Sequence, residues 1–70
     1  MASLGEQLLA HRLRRAFTQT ELAVVTGLAP EQISRFEKGH LTPTIRNLAR
    51  LAEGLRLTRR EVFELVMAER

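Results

Sequence analysis

Four polar side chains, Glu31, Gln32, Ser34 and Arg35, share one side of a short segment whose Ile33 and Phe36 turn the other way. Arg35 offers a planar fork matched to guanine O6 and N7, Gln32 an amide suited to adenine, and Glu31 an acceptor for the amino group of cytosine. Just beyond them, Lys38, His40, Thr42, Thr44 and Arg46 offer cations and hydroxyls of the kind that can hold phosphate. This is recognition chemistry, not bond-breaking chemistry. Two isolated histidines, His11 and His40, in a chain without cysteine or aspartate cannot assemble a nucleophile with an oriented base. Nothing places a third metal ligand beside them either. We therefore expect no enzyme, no catalytic residue, no metal and no cofactor.

Helical periodicity must position these groups. Leu4, Leu8, Leu9, Leu13, Ala16 and Phe17 recur at three- and four-residue intervals and predict a first amphipathic helix from about Leu4 to Ala16. Thr18 and Glu21 have capping-box spacing, so a second helix starts there and stops at Gly27, with Leu22, Ala23 and Val25 inward. Pro30 suits the first position of a third helix, 30–38, which Gly39 ends. Thr44 caps a fourth helix whose buried stripe is Ile45, Leu48, Leu51, Ala52 and Leu55, with Gly54 fraying its end. Thr58 and Glu61 open a fifth helix carrying Val62, Phe63, Leu65, Val66 and Met67. No strand pattern occurs, so the expected fold is all-α, a compact bundle of about five short helices forming one domain over residues 1–70.

Seventy residues bury only about 60% of the surface the unfolded chain exposes, so stability is modest or shared with a partner. The last helix has more apolar surface than one helical face can hide. This predicts a homodimer through about residues 57–70, with Val62 and Phe63 in the monomer core and Leu65, Val66 and Met67 at the interface. The formal charge of +3 is basic without being extreme, and a GC-rich coding genome would by itself favour ten arginines over one lysine. No apolar run approaches the roughly 20 residues of a membrane span, and the first residues lack a signal-peptide order, so the expectation is a cytoplasmic protein with no membrane partner.

Between Thr18 and Gly39 the Gln-x-Glu-Leu-Ala run, the turn glycine and the Glu-x-Gly run together resemble the helix-turn-helix DNA-binding domains of the lambda and 434 repressor and Cro group. The likeness takes in Arg12, Gln19, Leu22, Ala23, Gly27, Ile33, Glu37, Gly39, Pro43, Leu48, Ala52 and Leu55. It implies a transcriptional regulator whose helix-turn-helix unit, about 18–39, puts helix 30–38 into the major groove of double-stranded DNA. Glu31, Gln32, Ser34 and Arg35 would read bases there. Gln19 would contact phosphate and brace a residue of the reading helix, and Arg12 would form a buried ion pair with Glu37. Lys38, His40, Thr42, Thr44 and Arg46 would position the phosphates.

Two residues depart from the family pattern. Ala29 stands where a serine or threonine cap is common, and Pro30 offers a ring where a polar base contact is often found. Glu31 repels phosphate unless it meets a cytosine, so it selects against wrong sites. A regulator of this kind binds a near-palindromic operator as a homodimer. The alternative is an antitoxin that binds both DNA and a toxin protein, and a further possibility is an adaptor for a protein such as RNA polymerase.

Overall fold

The computed structural model describes residues 2 to 68. Residue 1 of the expected domain and residues 69 and 70 of the expected dimerisation surface lie outside the described residues. Five α-helices follow in order: α1 (Leu4–Arg14), α2 (Gln19–Thr26), α3 (Pro30–Lys38), α4 (Ile45–Leu55) and α5 (Arg59–Ala68). No strand occurs among the described residues.

Side-chain caps explain where the helices begin. Thr18 Oγ1 accepts from the Glu21 amide at 3.0 Å while Glu21 Oε1 accepts from the Thr18 amide at 2.8 Å. Thr58 and Glu61 repeat this reciprocal pair at α5, and Ser3 and Glu6 repeat it at α1. Thr44 Oγ1 accepts from the Asn47 amide and opens α4. Only α3 lacks a side-chain acceptor at its cap, because the residue there is Ala29. Pro30 stands at the first helical position, and Gln32 Oε1 reaches back to the Ala29 amide at 2.9 Å.

Two helix ends differ from the sequence expectation. The first helix stops at Arg14, short of Ala16, because Ala16 takes a left-handed φ of 59° and the Phe17 amide donates back to the Arg12 carbonyl at 3.1 Å. Gly54 does not fray α4; the helix runs on to Leu55 and the left-handed residue is Arg56, at φ 54°. A Cβ at Gly54 would come within 2.7 Å of Thr26 Cγ2, so a small residue is needed where α4 crosses α2.

The core gathers Leu8 of α1, Leu22 of α2, Ile33 and Phe36 of α3, Leu51 and Leu55 of α4 and Leu65 of α5, all fully buried. Each contributes about 1.5–3 kcal/mol over leaving it in water. Leu65 was expected at a dimer interface, and this must be corrected: at 1% exposure it faces inward. Phe63, expected in the core, is 64% exposed. A helix whose apolar residues are spread around its circumference between charged ones does not fix its own rotation by periodicity; packing of α5 on α1 selects Leu65 as the inward residue. Ile45, Val25 and Leu13 were also assigned to buried stripes and are exposed. Ile45 is the first residue of α4, and the core is reached only from Leu48 onward.

Candidate nucleic-acid interface

Gly27 makes the pairing of α2 with α3 possible. Its φ of 74° lies in the left-handed region, where a Cβ costs about 1–2 kcal/mol, and it reverses the chain within three residues before Pro30 restarts the helix. Ala23, buried and small, lets the two helices approach. Ile33 and Phe36 then anchor α3, which leaves Glu31 and Arg35 exposed and Gln32 and Ser34 half-buried on its outer side. Among the described residues neither Glu31 nor Arg35 has an ion-pair partner within 4 Å, so both heads are free. Gln32 differs: its oxygen is engaged in capping Ala29, and only its amide hydrogens remain to donate outward.

The carboxyl end of α3 is held from two sides. Arg12 of α1 donates from Nε to Glu37 Oε2 at 2.6 Å and from Nη2 to Oε1 at 3.0 Å, a two-pronged pair whose side chains are 11% and 6% exposed. Arg12 Nη1 also donates to the Phe17 carbonyl at 2.9 Å, and Gln19 Nε2 donates to Glu37 Oε1 at 2.9 Å. Every head-group atom of the pair's carboxylate is therefore engaged, and the Glu37 carboxylate holds the Arg12 guanidinium above its ordinary range. With one amide hydrogen given to Glu37, Gln19 keeps a second, and it stands at the first position of α2.

One contributor to this arrangement was missed in the sequence reading. Gly5 of α1 lies against the carbonyl groups of Phe36 and Glu37, where an added Cβ would sit 2.5 and 2.6 Å from their oxygens. A glycine inside an amphipathic helix with no turn to make was the available signal.

After Gly39, the loop carries His40 and Thr42 into solvent while Pro43 is buried beneath it. Lys38 and Arg46 are exposed on either side. Thr44 is exposed as well, but its oxygen already accepts the α4 capping bond. The structure thus brings Lys38, His40, Thr42, Thr44 and Arg46 along one stretch from the end of α3 to the first turn of α4. Val66 and Met67, the remaining members of the expected interface set, are exposed on α5, and Leu65 is not.

Two short helices joined by a left-handed glycine, the second presenting free polar groups beside cations and a helix amino-terminus, define a DNA-binding helical pair. A family model described as helix-turn-helix matches residues 8–62, and the chain belongs to that family, of the Cro/C1 type. It is a DNA-binding transcriptional regulator of all-helical fold. Among solved structures, the chain is similar to the restriction-modification controller protein C.AhdI from Aeromonas hydrophila, with a TM-score of 0.80 and 28% identity. That match covers 86% of this chain and 91% of the controller. No curated protein sequence matches the chain. No helix among the described residues is long and apolar enough to cross a membrane.

Proposed function

We propose that the chain is a homodimeric, sequence-specific regulator of the controller type, which binds a near-palindromic operator with α3 in the major groove. The observation that carries this reading is the Arg12–Glu37–Gln19 cluster: it fixes α3 against α1 and α2 while Glu31 and Arg35 stay unpaired and exposed. Rigid support behind free hydrogen-bonding heads is what base reading requires. In this reading Arg35 grips a guanine, Glu31 accepts from a cytosine, and Gln32 and Ser34 donate to neighbouring edges or phosphates. Gln19, Lys38, His40, Thr42, Thr44 and Arg46 hold the backbone of the duplex. The likeness to a restriction-modification controller supports the regulator reading over the antitoxin alternative.

Phe63, Val66 and Met67 supply the exposed apolar surface of α5 for the dimer, without Leu65. Two copies would set their α3 helices about 34–36 Å apart, in successive major grooves.

The test is selection of bound duplexes from a random pool, followed by binding of the winning site at fixed salt. The expected result is an inverted repeat, bound by a protein that sediments as a dimer at micromolar concentration. Arg35→Ala should lose about 1–3 kcal/mol and relax preference at one symmetric base pair. Arg46→Ala should weaken all duplexes alike and reduce the salt slope by about one. An unchanged ratio of specific to random binding in Arg35→Ala would remove Arg35 as a reader.

A further inference from the structure

At the carboxyl end of α4, against the α1–α2 turn, lies a groove of about 530 Å³ lined chiefly by Arg15, Phe17, Val25, Glu53, Gly54 and Arg56. Its floor is apolar. Phe17 is only half-buried, and Val25 stands 52% exposed near the end of α2. Its rim sets two cations, Arg15 and Arg56, against one carboxylate, Glu53. Arg15 Nη2 donates to the Arg56 carbonyl at 3.2 Å, which ties the end of α1 to the turn between α4 and α5. Arg15 also lies 3.9 Å from Glu61 and is partly compensated. Arg56, Arg59 and Arg60 are exposed and have no ion pair among the described residues.

These cations occupy unfavourable positions. Arg56 holds a left-handed backbone, φ 54°, that is strained for a non-glycine residue. Arg59 and Arg60 are the first two residues of α5, where the helix dipole is positive and a cation is destabilising. Three exposed guanidinium groups within five residues also repel one another. An anionic partner seated beside Arg56 would relieve part of this repulsion. The eleven residues of α4 separate this groove from the Thr44 end of the helix by about 16 Å, so it is not part of the polar stretch around the α3–α4 loop.

We propose that the groove docks an acidic protein segment carrying an apolar side chain. The apolar residue lies on Phe17 and Val25, and flanking carboxylates meet Arg15 and Arg56. A nucleic-acid backbone would satisfy the arginines but leave the apolar floor uncovered, which favours the acidic peptide.

Fluorescence anisotropy of the full chain with a labelled glutamate-rich peptide holding a central Leu-Leu pair tests this, beside the same peptide with Ser-Ser. The Leu-Leu peptide is expected to bind more tightly. Arg56→Gly, which suits the left-handed backbone, should weaken it about tenfold, and Arg56→Lys should restore part of the loss. Val25→Ser should abolish the preference for Leu-Leu. Thermal melting establishes that each variant folds, and binding of random duplex DNA should change little in any of them. Absence of peptide binding, or equal binding of both peptides, overturns the proposal. So does a loss of duplex binding without a loss of peptide binding in Arg56→Gly, which would assign the groove to DNA.

Discussion

Glu37→Ala removes the acceptor on which α1, α2 and α3 converge. Three hydrogen bonds disappear: two from Arg12, at 2.6 and 3.0 Å, and one from Gln19, at 2.9 Å. Arg12 keeps its bond to the Phe17 carbonyl but remains 11% exposed, a buried cation with no counter-charge. Breaking a buried pair from one side costs about 3–5 kcal/mol, against about 0–1 kcal/mol for an exposed pair. A chain of 70 residues is stable by roughly 4–10 kcal/mol in all, so the variant should be close to unfolding at room temperature. At about 4–8 °C per kcal/mol, the melting temperature should fall by about 12 °C or more.

Urea unfolding followed by helical circular dichroism is the assay, on four proteins: wild type, Glu37→Ala, Arg12→Met, and the double variant. The double variant leaves no buried charge behind and should be more stable than either loss added to the other would allow. A midpoint shift below about 1 kcal/mol in Glu37→Ala would refute the reasoning, as would additive single losses without coupling. Either outcome would mean that water reaches the pair and that α3 is held by apolar packing alone.

Further expectations concern the same framework. Gly5→Ala would push a methyl group into the Phe36 and Glu37 carbonyls; it should cost about 1–3 kcal/mol or more by chemical denaturation and weaken operator binding through displacement of α3. Ala29→Ser adds the missing acceptor at a cap whose backbone, φ −84° and ψ 145°, already suits it, and should gain about 0.5–2 kcal/mol in a melting experiment. Leu65→Ala should destabilise the monomer by about 2–5 kcal/mol, whereas Phe63→Ser should leave monomer stability nearly unchanged and shift sedimentation toward the monomer. Burial holds the His11 imidazole below its ordinary pKa of 6.5 against the opposing pull of Glu61, so the unfolded chain takes up its proton first as pH falls. The neutral ring's contribution is therefore full above about pH 6.5 and is lost as pH falls through the folded value; urea midpoints should decline over that window, and His11→Gln should flatten the decline.

The helices and the exposed face of α3 were legible in the sequence because each rests on local chemistry. The Thr18–Glu21 and Thr58–Glu61 boxes, Pro30, and the two glycines at 27 and 39 act within a few residues of themselves, and the structure uses each of them. What was not legible depends on the approach of distant segments. The inward choice of Leu65 over Phe63 is made by α1, the demand for Gly54 by Thr26, and the demand for Gly5 by two carbonyls at the far end of α3. The left-handed turns at Ala16 and Arg56 fall on residues that no local rule selects, since glycine would serve either position at lower cost.

These long-range constraints are unevenly distributed along α3. Its carboxyl end meets the Gly5 backbone, the Arg12 guanidinium and the Gln19 amide, while its amino end begins at an uncapped alanine held by Pro30 and by the back-bond from Gln32. Arg35 lies one half-turn from the braced end and Glu31 lies in the first turn. The two exposed heads therefore stand at ends of α3 that are held by different numbers of tertiary contacts. A rigid donor gives discrimination at little ordering cost on binding, whereas a group on a loosely started turn must be ordered by the partner it meets. On this physical ground Arg35 should carry the larger share of base discrimination, and Glu31 should act mainly by rejecting sites that offer it phosphate or carbonyl oxygen in place of an amino group.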